Sequence, residues 1–541
     1  MPPPQGTQSH DKLIQPSIPT ETPEHGLPNA RNNTSIVLFA RHHRSRALYL
    51  SSPRWYRNSL LASAGYLEFA NAGDFAANVW NEVPVPRHAV ILMAIGGPLA
   101  LLMSLVAARD ALLSWRNVRL LRGERRELLA LKDELLLRRH AASGDGTDAA
   151  LIPLIEGRLQ VGIRELGTEI VDRIAMDVLL GIGALLVGTG TLMAIAGAHP
   201  PIYRASNLLS GFVGNSLAAA FGVVNAIWSW YLVRRFWRHD RACMAQDQAG
   251  GGGEGGTAVA VFKGKLHRRF SRLQVHAVVS GVTGLVAGAA SMVTARMWWG
   301  YVLLIPCMGL QVACNRFWRR HLGYDRPVAS TQPKPVTPDS PFSNGCPPRD
   351  PEKASLPVQR YTASITSSSD SILPAPLPAP LPASMSRPIS CSNPTSHSFK
   401  EEQQERIHIE HILLTSLAET SAARAALDPL PSTLGVLDRS SLEGVMGFVE
   451  THALFDSLCD WLVHDGRVPG GLHQAIFSSV RDGDTLVPSD LTTRVTPADH
   501  DRLKELCLVF LGDGGRHVLI CRERYLLELV GCTLADIPNT T

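Results

Sequence analysis

Apolar residues along this chain fall into blocks of about 20, separated by stretches dense in arginine, proline or serine. The blocks cover approximately 88–108, 178–198, 207–233, 273–294 and 297–315. In hydrocarbon each unpaired backbone amide costs several kcal/mol, so segments of this length and composition must cross as helices. The pattern therefore predicts an all-α polytopic transmembrane bundle of about five spans, occupying 87–326. Between the first two spans, 109–177 carries two apolar strips at helical spacing. Leu121, Leu128, Leu131 and Leu135 form one, and Ile155, Leu159, Ile163, Leu166, Ile170 and Ile174 the other. With a turn at 143–148 they predict a cytosolic helical hairpin, or a short coiled coil with a partner chain. Residues 327–400 are rich in Pro and Ser, including the Pro-Ala-Pro-Leu repeats of 374–382, and are expected to form a disordered linker. Apolar content returns over 401–541, which predicts a small, mainly helical cytosolic domain. The first 86 residues, polar and Pro-rich at the start, read as a largely disordered exoplasmic tail.

Average composition conceals this layout, since 45% hydrophobic content and a mean hydropathy of +0.03 resemble a soluble protein. The net charge of +4 is too small to indicate a nucleic-acid partner. Basic residues instead sit beside the apolar blocks, where membrane lipids are the partners. Arg109, Arg116, Arg119, Arg122, Arg125, Arg126, Lys132, Arg138 and Arg139 follow the first span, a second basic group fills 234–272, and Arg316, Arg319, Arg320 and Arg326 follow the fifth. The short connections 199–206 and 295–296 carry only Arg204 and Arg296. The excess of cytoplasmic Lys and Arg then places the N-terminus outside and the C-terminus in the cytosol, with endoplasmic reticulum and plasma membrane both compatible. Arg41, Arg44, Arg46, Arg54 and Arg57 fit this orientation poorly, although they precede the first span by about 30 residues or more. Sequons at Asn32 and Asn33 would face the lumen and are candidates for N-glycosylation.

The third span has the clearest internal pattern. Asn207, Gly211, Asn215, Ala218, Gly222, Asn225 and Ser229 recur every three or four residues, and the fourth repeats the device with Ala277, Gly281, Gly284, Gly288 and Ser291. Small residues let helix backbones approach, and amides bond across the contact, so these positions suit helix packing, including packing into a homo-oligomer. The same stripe could instead line a cavity. No Asp, Glu, Lys or Arg falls inside the five blocks, which counts against a proton- or ion-coupled carrier. Asp172, Arg173 and Asp177 are expected to be interfacial.

Motifs for catalysis and cofactors do not appear. Gly264-Lys265 is followed by Leu266 where a phosphate loop needs Ser or Thr, and Gly214-Asn215-Ser216-Leu217-Ala218 lacks the glycines of a serine-hydrolase elbow. No His, Cys or carboxylate spacing completes a metal site.

The stretch Asn207-Leu208-Leu209-Ser210-Gly211-Phe212-Val213-Gly214-Asn215-Ser216, with Val224-Asn225-Ala226-Ile227-Trp228-Ser229-Trp230, resembles uncharacterised multi-pass integral membrane proteins of filamentous fungi. The resemblance covers about 87–320 and implies a fungal membrane protein with no assigned activity. The expected function is a non-enzymatic membrane scaffold that recruits cytosolic proteins through 401–541 and the Pro-rich linker. The alternative is a passive channel or small-solute transporter with the third-span stripe facing its path, and a membrane-bound enzyme comes third.

Overall fold

A computed structural model describes residues 37–41, 48–52, 54–57, 64–80, 85–141, 146–249, 255–323, 325–328, 396–427, 437–481 and 483–535. Asn32, Asn33 and the Pro/Ser-rich stretch 329–395 lie outside them. The described chain is mostly helical and divides into two compact units.

The larger unit contains Tyr56–Gly323 and Arg524–Thr541. It opens with a broken helix, α1 (Ala64–Asn71) and α2 (Phe75–Val79) joined by a 3-10 turn at Ala72–Asp74. A 55-residue helix follows, α3 (Arg87–Ala141). Next, α4 (Gly146–Thr168) runs through a π-helical stretch, Glu169–Ala175, into α5 (Met176–Ala194). The short α6 (Pro200–Ser206) passes through a second π stretch, Asn207–Gly214, into α7 (Asn215–Ala249). Two more helices, α8 (Gly255–Thr294) and α9 (Gly300–Phe317), complete the set.

Three helical segments are long and apolar enough to cross a membrane: Arg87–Leu137, Pro200–Met244 and Phe262–Thr294. Their polarity is inverted relative to a soluble protein. Ile91, Ile95, Leu102, Leu105, Ile227, Val278 and Val282 are exposed, while Asn215, Asn225, Ser291 and Thr294 are buried. Such a surface suits lipid and would be unstable in water.

The two strips of the hairpin close on each other. Leu128, Leu135, Ile152 and Ile155 form one buried cluster, and Lys132 pairs with Glu156 at 2.7 Å. At its base Tyr56 and Val328 share a cluster with Leu121 and Leu166. Tyr56 Oη donates to Glu169 Oε1 at 2.9 Å, and Asn117 donates to the other carboxylate oxygen. Tyr56 and Val328 thus both meet the base of the hairpin.

The smaller unit is drawn from three separate stretches of the chain, up to Trp55, Tyr324–Pro327 and Ala418–Glu523. Strand β1 (Val37–Arg41) pairs antiparallel with β2 (Leu48–Ser52) on one side and β3 (Thr485–Leu486) on the other. Helices α10 (Ser396–Ala426, from residue 418), α11 (Leu442–Thr451), α12 (Phe455–His464), α13 (Gly470–Phe477), α14 (Pro488–Arg494), α15 (His500–Phe510) and the start of α16 (Arg516–Ala535) supply the rest. Val37 and Phe39 alternate inward into a core with Val449, Phe455, Leu458, Ile476 and Leu503, all fully buried.

Two boundaries differ from the sequence reading. Residues 37–79 are not a tail: the strands complete the smaller unit and α1–α2 enter the larger one. Nor do residues 401–541 form one body, because 524–535 pack on the helical block. There Gly531 lies against the Phe270 ring, and Arg164 meets Glu528 at 2.7 Å, both side chains 1% exposed. A strand of five residues gains most of its core from neighbours nearly 400 or more positions away, so no local pattern announces it. The class is also not purely helical, since the smaller unit carries this three-stranded sheet.

Candidate functional site: a polar file inside the helical block

The segment 64–79 packs on the bundle with one face, leaving Tyr66, Phe69 and Phe75 exposed, and carries its acidic residues inward. Glu68, Asn71, Asp74 and Asn78 follow helical spacing of three, three and four residues. Glu68 is 3% exposed and Asp74 1%. Close approach is secured by glycine: a Cβ on Gly96 of α3 would stand 2.7 Å from the Gly73 carbonyl oxygen.

Asp74 sits in a hydroxyl and amide cage. Tyr301 Oη donates to its Oδ1 and Asn78 Nδ2 to its Oδ2, each at 2.9 Å. Behind it, Ser291 Oγ donates to Asn215 Oδ1 at 3.1 Å, and Asn215 Nδ2 reaches Thr294 Oγ1 at 3.4 Å. Further along, Gln311 of α9 donates to Glu68 Oε1 at 3.0 Å. Between the carboxylates, Asn71 lies against Gly183 of α5. Glu68 Oε2, Gln311 Oε1 and both polar atoms of Asn71 are buried without a hydrogen-bond partner. A buried polar atom without a partner costs roughly 1–3 kcal/mol.

Gln311 also lines a cavity of about 80 Å³ with Asp172, Arg173, Asn225, His276 and Asn315. That volume holds several waters by the criterion of about 10–15 Å³ each. The π stretch Glu169–Ala175 widens the helix where Asp172 and Arg173 face this cavity, a recurrent placement of π-helical turns. Asp172 and Arg173 therefore line the cavity, and Asp177 is 2% exposed. Polar groups run from this cavity through Gln311 and Glu68 to Asn71, then to Asp74 and Tyr301.

The small-residue stripes meet face to face. A Cβ on Gly222 would stand 2.5 Å from the Gly284 carbonyl oxygen; Gly281 faces Ser229, Gly284 faces Asn225, and Gly288 faces Ala219. Asn225 donates to the Ser280 carbonyl at 3.0 Å while lining the cavity, so this residue both packs and faces the file. Gly211 is buried near Ala295, and Asn207 is half-buried at the start of its π stretch, away from the file. Gly222→Val is expected to force α7 and α8 apart and destabilise by about 3 kcal/mol or more. Gly309→Ala, where a Cβ meets nothing within 4 Å, leaves the thermal midpoint in detergent unchanged or raised.

No family model matches the chain, and no curated protein or solved structure is significantly similar to it. The site is therefore read from its own chemistry.

Among the described residues no group of three or more His, Cys, Asp or Glu is placed to hold a metal. In the smaller unit His517 Nε2 lies 3.3 Å from Asp325 and 3.6 Å from Cys521 Sγ. Both neighbours meet the same nitrogen, whereas a nucleophile–base–carboxylate relay needs opposite ones. Burial pushes the Cys507 thiol up to about 12, which keeps it an inert core residue. Asp325, then Cys521, hold His517 up to about 10. A raised folded value means the ion pair stabilises fully below about pH 6.5 and is lost as pH rises through 10. With the imidazole 53% exposed, screening limits this to roughly 0.5 kcal/mol. The thermal-midpoint difference between wild type and Asp325→Asn is expected to be largest near pH 6 and to vanish above pH 10.

Proposed function

We propose that this protein moves protons or small cations across a membrane through the file from the Asp172–His276 cavity to Asp74. The observation that carries the reading is a pair of carboxylates, Glu68 and Asp74, buried in the bundle and hydrogen-bonded by the neutral side chains of Gln311, Tyr301 and Asn78. Intramembrane acids are expensive and mark ion or proton routes. A discontinuous helix contributing both is the device of many transporters. Partner recruitment finds less support, because Tyr49 and Val509 are the only large apolar side chains exposed among the described residues of the smaller unit.

The reading requires six crossings, not five. The added one is 64–79, about 24 Å long at 1.5 Å per residue, antiparallel to α9: Gly65 lies beside Met308 and Val312, and Asn78 beside Tyr301. An even count returns both ends to the cytosolic side, in keeping with Tyr56 and Val328 meeting the same hairpin base. It also puts Arg54 and Arg57 next to a first span, where the positive-inside rule wants them.

Two experiments test this. Purified chain in liposomes should dissipate a pH gradient, or a sodium or potassium gradient, faster than protein-free vesicles; equal rates for all three would sink the transport reading. In microsomes the Asn32 and Asn33 sequons should stay unmodified while a sequon inserted between 81 and 84 is glycosylated, and modification of the tail would restore an odd count.

A further inference from the structure

The geometry points to a second site, separate from the polar file, that binds an anionic phosphate group beside the middle of α7. A cavity of about 200 Å³ is lined by Gln160, Tyr231, Arg235, Arg238, His239 and Ala535.

Arg235 is 4% exposed, so its guanidinium has left bulk water. Its contacts are all neutral. Nε reaches His239 Nε2 at 3.3 Å, one terminal nitrogen reaches Tyr231 Oη at 3.4 Å, and the other donates to the Gln160 carbonyl and lies 3.9 Å from Cys532 Sγ. The neighbouring carboxylate, Glu528, is held by Arg164 at 2.7 Å. Burial disfavours this cation, and Glu528 is the carboxylate whose charge acts on it. His239 is the second independent sign: it is 8% exposed, and its Nδ1 is buried without a hydrogen-bond partner. Arg238 adds an exposed positive charge at the mouth.

Two arginines, an imidazole nitrogen and a phenol around one cavity match the donor geometry that phosphate oxygens accept. The cavity sits at the end of the apolar third block, beside exposed Trp230 and Trp237. Basic pockets at that depth on the cytoplasmic side take anionic lipid headgroups. A free phosphate presents the same oxygens, so the experiment separates the two sources.

The full-length protein is reconstituted in phosphatidylcholine nanodiscs, with and without a phosphatidylinositol phosphate, and in parallel titrated with inorganic phosphate. Thermal stabilisation by the lipid alone assigns a headgroup site; stabilisation by phosphate as well assigns a general phosphate site. In either case Arg238→Gln, at an exposed position that leaves the core intact, weakens apparent affinity about tenfold, and Arg235→Gln about tenfold or more. No stabilisation by either probe, or wild-type affinity in Arg238→Gln, overturns the assignment.

Discussion

Flux through the reconstituted protein is expected to fall at least hundredfold when Asp74 is replaced by Asn. The amide keeps the shape of the carboxylate, and its oxygen can still accept from Tyr301 or Asn78, which donate at 2.9 Å in the wild type. What disappears is the negative charge and the proton-binding oxygen. A cation about 4 Å from a carboxylate gains roughly 4 kcal/mol at an effective dielectric of 20. Since a tenfold change in rate corresponds to about 1.4 kcal/mol, losing even most of that interaction exceeds two decades. Glu68→Gln is expected to behave alike, because its carboxylate links the inner cavity to Asn71. Gly309→Ala, which touches neither, serves as the folding control. If Asp74→Asn and Glu68→Gln both conduct as wild type while remaining folded, the carboxylates are structural and the proposed route is wrong.

The second large effect concerns Phe39. Its side chain is fully buried, its ring centroid is 5.8 Å from that of Phe477, and its amide and carbonyl bond to Asp484 and Gly483, each at 3.0 Å. Phe→Ala in such a core costs about 3–5 kcal/mol, a large share of the 5–15 kcal/mol that holds a typical domain. Phe39→Ala should therefore expose 437–523 to limited proteolysis at temperatures where the helical block stays intact. Tyr49→Ala, at a side chain 42% exposed, should not. Equal protection of both variants would mean that the N-terminal strand is dispensable to this unit.

Legibility in the sequence followed the range of the interactions. The bundle helices, the hairpin and the facing glycine stripes of α7 and α8 rest on contacts that repeat every three or four residues, and such periodicity survives in the one-dimensional string. The stripe Glu68, Asn71, Asp74, Asn78 repeats in the same way and was open to the same test. It was hidden because hydropathy weighs polarity without direction: a 16-residue helix with two carboxylates scores as surface even when its neighbours enclose it. Domain membership was the harder matter. Val37–Arg41 carries only a weak alternation, and nothing in those five residues names Thr485–Leu486 as their partner.

By itself, then, the sequence determined the apolar helices, the basic stretches that flank them and the packing faces of α7 and α8, because local repetition and composition suffice to specify them. Only the tertiary structure decided that the N-terminal strand belongs with 418–523, that 64–79 carries Glu68 and Asp74 into the interior, and that Arg235 and His239 are buried around one cavity. Those three facts depend on which distant groups share one low-dielectric volume, and burial of that kind is a property of the assembled chain.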